Sequence, residues 1–292
     1  MGERRLRRGV WLIMKNKIIF IILLILALFM CFPVIFLMAG SFMGSAEISG
    51  HLEPILTKGD SFVTWDLIPK YPTVRSYVEL LLDTPQFFVM FWNSVKIVFL
   101  TLVGQLLVGV IAAWGFARYK FPFKKILFTI YIVVMLMPFQ VTMLSNYLVL
   151  DTLKLLDTQL SVILPGIFST FSVFIMYRFF SNIPEAILES ARIDNASEIK
   201  IFFHIGIPLG MPGIMSAVIL QFLEYWNLIE QPLTFIKDKS LWPLSIYLPN
   251  INLNNAQMAF TASGITLIAA IIVFFAGQSY LEQGIAATAV KE

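Results

Sequence analysis

The sequence predicts an all-α integral membrane protein with six transmembrane helices. Hydrophobic residues make up 58% of the 292 residues and charged residues only 13%, whereas soluble domains are about half apolar and a quarter charged. The mean hydropathy is +0.82. The apolar runs are about 20 residues or longer, which suits helices that cross a bilayer and is too long for barrel strands.

The apolar runs place six spans in one predicted domain, residues 1–292. Polar stretches between the runs predict external loops at 43–86 and 233–255 and a cytoplasmic loop at 182–207. Pro138 lies within the third run and predicts a kink there. The predicted spans are 18–42, 87–116, 126–149, 159–180, 208–232 and 256–282.

The distribution of basic residues predicts the orientation, because Lys and Arg accumulate in cytoplasmic segments. With the N-terminus inside, fourteen of the 21 basic residues fall on the cytoplasmic side and six outside, while Lys96 lies within the second span. The strongest local marker is the segment 118–125, which carries four basic residues. Both termini and the 182–207 loop are therefore expected in the cytoplasm.

The loop 182–207 predicts two short helices joined by a turn. Asn182 is followed three residues later by Glu185, and Asn195 in the same way by Glu198. Both pairs are typical of capping boxes, in which a short polar side chain accepts from an exposed helix amide and the acid complements the helix dipole.

The first of these helices is expected at about 184–193, with a Glu189–Arg192 pair at helical spacing. By spacing alone, a hairpin that merely links two spans is as good an interpretation as a functional element. Three apolar residues of the second helix share a face that must be buried against something: Ile199, Phe202 and Phe203.

The same loop resembles the coupling loop of ATP-binding-cassette (ABC) importer permeases. The family signature reads Glu-Ala-Ala, three residues, Gly, nine residues and Ile-x-Leu-Pro. Three positions depart from it, and each change is mild, since Asn enters left-handed turns almost as Gly does. The resemblance implies the type I ABC importer permease fold. The matching residues, at the same spacing, are Glu189-Ser190-Ala191, Asn195 and Ile205-Gly206-Ile207-Pro208.

Further motifs, from about residue 90 to 292, resemble the carbohydrate-uptake subfamily and its smaller, maltose-type permease subunit. The resemblance implies a permease for a sugar or oligosaccharide, and it leaves open a glycerol phosphoester, a polyol or another solute. The motifs are Asn93-Ser94, Phe116-Ala117-Arg118, Arg178-Phe179-Phe180 with Ile183-Pro184, Trp226-Asn227 with Pro232-Leu233, and Gly277-Gln278 through Gly284 to Ala289-Val290-Lys291.

The expected partners follow from the resemblance and from a missing motif. The sequence contains no G-x-x-x-x-G-K-[ST] phosphate loop, so ATP and Mg²⁺ are expected in separate ATPase subunits and this chain is not expected to be an enzyme or to bind a cofactor. The resemblance implies a second permease subunit, two ATPase subunits and an extracytoplasmic solute-binding protein at the inner membrane of a prokaryote.

A membrane-embedded enzyme or receptor is the alternative of a different class. It would require an intramembrane catalytic pair or a signalling domain, and the sequence contains neither. His51 and His204 fall on opposite predicted sides, and no His, Cys or carboxylate cluster has the spacing of a metal site.

Three groups of residues are candidate sites. The resemblance implies that the cytoplasmic loop docks on the ATPase, that the loop at about 237–255 contacts the binding protein, and that the tail from 284 reaches the ATPase. Polar residues inside spans are costly, so they are candidates to line the pathway, with helix-to-helix hydrogen bonding as the alternative for the amides. The coupling residues are Glu185, Glu189, Ser190, Ala191, Asp194, Asn195 and Ala196, with Phe202 and Phe203 packing inward; the pathway candidates are Gln140, Gln221, Glu224, Tyr225 and Asn227; the binding-protein candidates are Trp242, Tyr247, Asn250 and Asn252.

Overall fold

A computed structural model describes residues 2–56, 66–247 and 255–289, with side chains at 17–54, 66–247 and 255–283. These residues form helices and turns and contain no strand. π-helical turns occur at Glu79–Asp83 and Phe202–Gly206, and 3-10 turns at Lys239–Leu241 and Leu244–Ile246. The α-helices are α1 (Gly2–Ser41), α2 (Ser45–Leu56), α3 (Arg75–Val78), α4 (Pro85–Arg118), α5 (Lys124–Leu136), α6 (Phe139–Thr152), α7 (Leu160–Ile167), α8 (Thr170–Asn182), α9 (Glu185–Ile193), α10 (Glu198–Ile201), α11 (Ile207–Trp226), α12 (Glu230–Phe235) and α13 (Ala256–Ala289).

Contacts between residues divide the chain into two compact units. The first comprises Met1–Thr84 and Leu248–Ile265, and the second comprises Pro85–Tyr247 and Thr266–Glu292. Helix α13 therefore begins in the first unit and ends in the second. The prediction of a single domain over 1–292 stays a prediction.

Within the described residues, five helical segments are long and apolar enough to cross a membrane, and one bent pair gives a sixth. The all-helical fold class is thus confirmed, and the predicted number of spans is reached when the bent pair counts as one. The five segments are Lys17–Ser41, Pro85–Arg118, Leu160–Asn182, Glu198–Trp226 and Ala256–Gln283, and the pair is Lys124–Leu136 with Phe139–Thr152.

The third predicted span, 126–149, is broken rather than kinked. Helices α5 and α6 meet at 104°. Met137 is extended, with φ −74° and ψ 125°, because the ring of Pro138 disfavours helical geometry in the residue before it. Pro138 also lacks the N–H that would continue the helix. The kink predicted at Pro138 is therefore correctly placed, but the helix ends there and a new one begins.

The core of the second unit lies where α4, α8 and α11 pack together. Trp114, Phe180 and Leu188 are buried in one apolar cluster. The rings of Trp114 and Phe180 meet edge to face with centroids 5.3 Å apart. A Cβ placed on Gly210 would lie 2.2 Å from Phe180 Cε1, so α11 approaches α8 as closely as it does only because this residue has no side chain.

The first unit has its own small core and buried polar contacts. Met43, Ile48 and Ala256 form its apolar cluster. Beside them Thr261 Oγ1 donates to Ser76 Oγ at 2.9 Å, which satisfies two buried hydroxyls.

Substitution of Gly210 by Ala is predicted to destabilise the chain by about 1–3 kcal/mol, because the added methyl overpacks a ring that has no room to move. The matched control is Gly115→Ala, since nothing lies within 4 Å of a Cβ built there; Ala is the better helix former, so this change is expected to be neutral or to stabilise by up to about 1 kcal/mol. Thermal unfolding of the purified variants measures both, and equal midpoints would contradict the packing argument.

Candidate functional site

The cytoplasmic loop of the prediction forms two helical segments in the structure. Helix α9 runs Glu185–Ile193, within one residue of the predicted 184–193. Helix α10 is a single turn, Glu198–Ile201, and continues through the π-helical turn Phe202–Gly206 into α11. The predicted helix–turn–helix is therefore present.

The turn between α9 and α10 is a Schellman motif centred on Asn195. Asn195 has φ 58°, the left-handed region that Asn enters at low cost. Its N–H donates to Arg192 O at 3.0 Å, and the N–H of Ala196 donates to Ala191 O at 3.0 Å. These are the two hydrogen bonds that close the C-terminus of a helix in this motif. Ala191 and Ala196 also pack against the apolar cluster of the second unit, so both are half-buried.

Both predicted capping boxes are wrong. Asn182 is the last residue of α8, and α9 begins after Pro184, which has φ −58° and ψ 132° and no side chain that can cap. Asn195 ends α9 instead of beginning α10. The cap of α10 is Ser197, whose Oγ accepts from the N–H of Lys200 at 3.3 Å. Each Asn lies two or more residues before the helix that it was expected to cap, because the chain must first leave the preceding element.

A buried arginine holds the loop to the second span. Arg118, the last residue of α4, has only 8% of its side chain exposed. Its Nη2 donates to Phe180 O and to Ile183 O, the latter at 2.6 Å, and its Nη1 donates to Glu185 Oε2 at 3.1 Å. The guanidinium carbon lies 5.8 Å from the centre of the Trp114 ring, a cation–π distance. One side chain thus joins α4, the end of α8 and the beginning of α9.

Charged pairs continue from Arg118 across the loop. Glu185 Oε1 accepts from Arg192 Nη1 at 2.9 Å, and Arg192 Nε donates to Glu198 Oε1 at 2.8 Å. The predicted Glu189–Arg192 pair is therefore wrong, since Arg192 is already engaged by two other carboxylates. The hydrogen bond from Arg192 lowers the pKa of Glu185, with Arg118 adding to the effect. Hydrogen bonds to Glu198 and Glu185 raise the pKa of Arg192.

The exposed outer face of the loop carries both polar and apolar side chains. Glu189, Ser190 and Asp194 are exposed. So are the apolar side chains of Ile193 and Ile199, which are 80% and 71% exposed. This combination is typical of a docking surface, because large aliphatic side chains in water favour a partner.

The predicted inward packing of the two phenylalanines is half correct. Phe202 packs against the apolar cluster, with its ring 5.5 Å from Trp114. Phe203 is 57% exposed and adds to the outer face. Adjacent residues of a helix point about 100° apart, so Phe203 does not share the face of Phe202.

The amides inside the spans form a buried hydrogen-bonded chain. Gln105 Nε2 donates to Gly166 O and to Gln221 Oε1, both at 2.8 Å, and Ser172 Oγ donates to Gln105 Oε1 at 3.0 Å. Gln221 Nε2 in turn donates to Glu224 Oε2 at 2.7 Å. Gln221 thus has the helix-to-helix role that the sequence left as its alternative: it joins α11 to Gln105 of α4, and Gln105 in turn donates to Gly166 of α7.

The other pathway candidates divide by exposure. Tyr225 is buried beside Gly166, where a Cβ would lie 2.6 Å from the Tyr225 hydroxyl. Glu224 and Asn227 are exposed. Gln140, on α6, is also exposed and donates to both carboxylate oxygens of the exposed Glu230, at 2.8 and 2.9 Å. Gln140, Glu224 and Asn227 are therefore the candidates that remain open to a pathway, and that role stays a prediction.

The loop after α12, which the sequence predicts to be external, is hydrogen-bonded to the second span. Trp242 is half-buried, and its Nε1 donates to Ile236 O at 2.9 Å. The ring of Tyr247 meets Phe87 edge to face at 5.3 Å. Asn93 Nδ2 donates to Ser240 O and Trp242 O. Asn250 and Asn252 lie outside the described residues, so their predicted contact with a binding protein is untested, as is the role of the tail from 284.

A family model described as the inner membrane component of binding-protein-dependent transport systems matches residues 105–287. The chain belongs to this family. A permease protein of the arabinooligosaccharide transport system of Bacillus subtilis (strain 168) is 31% identical over 271 residues, which cover 92% of this chain and 93% of that relative.

Solved structures match the permease over most of its length. A crystal structure of a bacterial ABC transporter involved in the import of the acidic polysaccharide alginate has a TM-score of 0.75 at 21% identity, covering 91% of this chain and 96% of that one. A second, of a bacterial alginate ABC transporter in complex with an alginate pentasaccharide-bound periplasmic protein, has a TM-score of 0.59 at 18% identity, covering 91% and 92%. The predicted ABC importer permease fold is confirmed.

Two residues that hold the permease's loop in place have roles that sequence reasoning missed. The sequence identifies Arg118 only as one of the basic residues that indicate orientation and as part of a family motif. Its hydrogen bonds to distant carbonyls could not be predicted, because nothing in the sequence indicates which groups a side chain meets. Ser197 was detectable: a Ser directly before a Glu-led helix is a strong cap signal.

Substitution of Asn195 by Val is predicted to destabilise the permease by about 1–2 kcal/mol, since a β-branched residue is strained in the left-handed region. Asn195→Gly is expected to be neutral or stabilising there. The control is Asn182→Val, which makes the same change at the right-handed end of α8. Denaturant or thermal unfolding compares the three, and an equal loss at both sites would show that the turn geometry is irrelevant.

Substitution Glu185→Gln is predicted to lower stability by about 0.5–1 kcal/mol near neutral pH, the range of partly exposed ion pairs. The fold lowers the pKa of Glu185, so its contribution is present above the ordinary carboxyl pKa and is lost as pH falls through the lowered value. The difference in stability between wild type and the Glu185→Gln variant should therefore disappear in acid. Unfolding midpoints measured across that pH range test this.

Glu189→Gln is the matched control, because Glu189 lies on the same helix and makes no ion pair with any residue that the structure describes. A gap for Glu185→Gln that is independent of pH, or an equal one for the control, would contradict the role of the ion pairs.

Proposed function

We propose that this chain is the permease subunit of an ATP-driven importer that carries a sugar or oligosaccharide across the inner membrane of a prokaryote. The observation that carries the proposal is the 31% identity, over nearly the whole of both chains, to a permease protein of an arabinooligosaccharide transport system. The alternative is an importer of the same type that carries a glycerol phosphoester, a polyol or another solute, because the described pathway candidates are too few to select a solute.

In this proposal the energy comes from separate subunits. The sequence has no phosphate loop, so ATP and Mg²⁺ bind in two ATPase subunits, and a second permease completes the pathway. An extracytoplasmic binding protein delivers the solute, in keeping with the family description and with the periplasmic protein in one of the similar structures.

The cytoplasmic loop receives the motion of the ATPases. Its outer face offers Glu189, Asp194 and the exposed Ile193 and Ile199, which provide both charge and apolar area for docking. Its inner face is held by Leu188 in the apolar cluster and by Arg118. A displacement of the loop is therefore passed to α4 and α8 as a rigid-body movement, one of the known modes of such transitions.

The basic segment 118–125 and the loop are placed on the cytoplasmic side, with both termini inside. This orientation rests on the fourteen-to-six distribution of basic residues. It puts Trp242 and Tyr247 outside, where the binding protein would contact their loop.

Charge reversal of the outer face, Glu189→Lys with Asp194→Lys, is predicted to reduce ATP-driven uptake at least about tenfold, the loss expected when roughly 1.4 kcal/mol of docking energy is removed. Insertion and folding should be unchanged, because both side chains are exposed. The control Asp151→Lys reverses an exposed carboxylate at the end of α6.

The measurement is uptake of a panel of oligosaccharides, a glycerol phosphodiester and a polyol into vesicles that contain the complete transporter, together with copurification of the ATPase. Uptake by the double variant at the wild-type level would refute the docking role. Failure of the wild-type chain to copurify with any ATPase would refute the importer itself.

A further inference from the structure

We propose that the segment linking α4 to α5 is a binding site for the headgroup of an anionic phospholipid. The segment leaves the membrane at Arg118 and returns at Lys124, since both flanking helices are long and apolar enough to belong to spans. It therefore lies at the level of lipid headgroups. Nothing in the importer mechanism uses it, because Arg118 alone turns toward the coupling loop.

Three lysines of the segment are not neutralised by the protein. Lys120, Lys124 and Lys125 make no ion pair with a carboxylate among the residues that the structure describes. The sequence explains this, because no Asp or Glu occurs between Asp83 and Asp151. Clusters of Lys and Arg beside a membrane span attract anionic lipids.

The lysines and their neighbours surround a recess of about 520 Å³. Its lining combines the cationic side chains with Phe121, Phe123 and Ile126. Lys124 Nζ donates to Tyr119 O at 3.0 Å, which holds this ammonium against the end of α4. Ammonium groups beside aromatic and aliphatic walls match a phosphodiester attached to acyl chains. A free phosphate would use only the charges.

Two local features are unfavourable in the protein alone and become less so when an anion is bound. Lys124 and Lys125 occupy the first turn of α5, where the helix dipole disfavours cations and favours anions. Phe123, directly before them, has φ 61° and is 73% exposed. A bulky residue is rarely found in the left-handed region, and an aromatic ring at this level is suited to the membrane interface.

The test measures lipid binding to the purified full-length chain by native mass spectrometry, with phosphatidylglycerol and phosphatidylcholine of identical acyl chains. Wild type is expected to prefer phosphatidylglycerol at least about tenfold, since each lysine near a headgroup contributes roughly fivefold in affinity. The variant K120Q/K124Q/K125Q should lose that preference, and K120R/K124R/K125R should retain it. The control K154Q/K237Q/K239Q removes the same charge elsewhere in the second unit and should behave as wild type.

Two further arms separate the lipid from other anions and from misfolding. Excess inorganic phosphate should not displace phosphatidylglycerol, because the apolar walls contribute to binding. Phe123→Asn, which keeps a residue that tolerates the left-handed turn, should weaken phosphatidylglycerol binding while leaving the preference over phosphatidylcholine. If the Gln variant does not fold, wild type, the Arg variant and Phe123→Asn still decide the question.

The proposal is overturned if wild type binds both lipids equally, if the Gln variant binds phosphatidylglycerol as tightly as wild type, or if inorganic phosphate competes. The last outcome would make the site a simple anion site. Each outcome is independent of the transported solute, so it leaves the importer proposal standing or falling on its own experiment.

Discussion

The loop depends on the way Arg118 meets the ends of two helices. A guanidinium removed from water must find acceptors, and a helix that ends leaves carbonyls without partners. The structure meets both needs at the terminal nitrogens, because Nη2 of Arg118 donates to the carbonyls of Phe180 and Ile183 while Nη1 donates to the carboxylate of Glu185. Only Nε of this guanidinium is buried without a hydrogen-bond partner among the described residues. Charge-assisted hydrogen bonds of this kind contribute about 1.5–3 kcal/mol each. Because these bonds join the end of α8 to the beginning of α9, they fix the turn between the two helices.

This anchorage makes two short helices part of the packed unit, as the proposed coupling role requires. Neither α9 nor α10 is long enough to be stable alone. Leu188 is fully buried and Phe202 lies against Trp114, so the loop shares its core with α4 and α8. The pairs Glu185–Arg192 and Arg192–Glu198 then tie the two halves of the loop to each other. The outer face is left free of these constraints and available to a partner.

The same requirement that buried polar groups be satisfied governs the membrane-spanning part of the second unit. Gln105 is buried and gives its amide to two acceptors while it accepts from Ser172, so three spans are linked at one point. Pro138 shows the opposite case. Pro138 has no N–H to donate and disfavours the helical conformation in the residue before it, so the chain breaks there into α5 and α6. Gln140 on the new helix then donates to Glu230. Some polar residues in the spans, such as Gln105, thus join helices, whereas others, such as Glu224, are exposed.

The sequence by itself determined what depends on composition and on local spacing. Apolar runs of bilayer length predict the helical fold, the position of Pro138 predicts a kink where the helix in fact breaks, and the segment 182–207 predicts two short helices with Asn195 at their turn. Only the tertiary structure decided which groups meet. The partners of Arg118 and the burial of Gln221 and Tyr225 depend on residues tens of positions away. The pairing of Arg192 with carboxylates six and seven positions away, and the exposure of Phe203, depend on how α9 and α10 pack. Local patterns predict the conformation of a segment because its energetics are local, whereas a side chain's partner is selected by the packing of the whole unit.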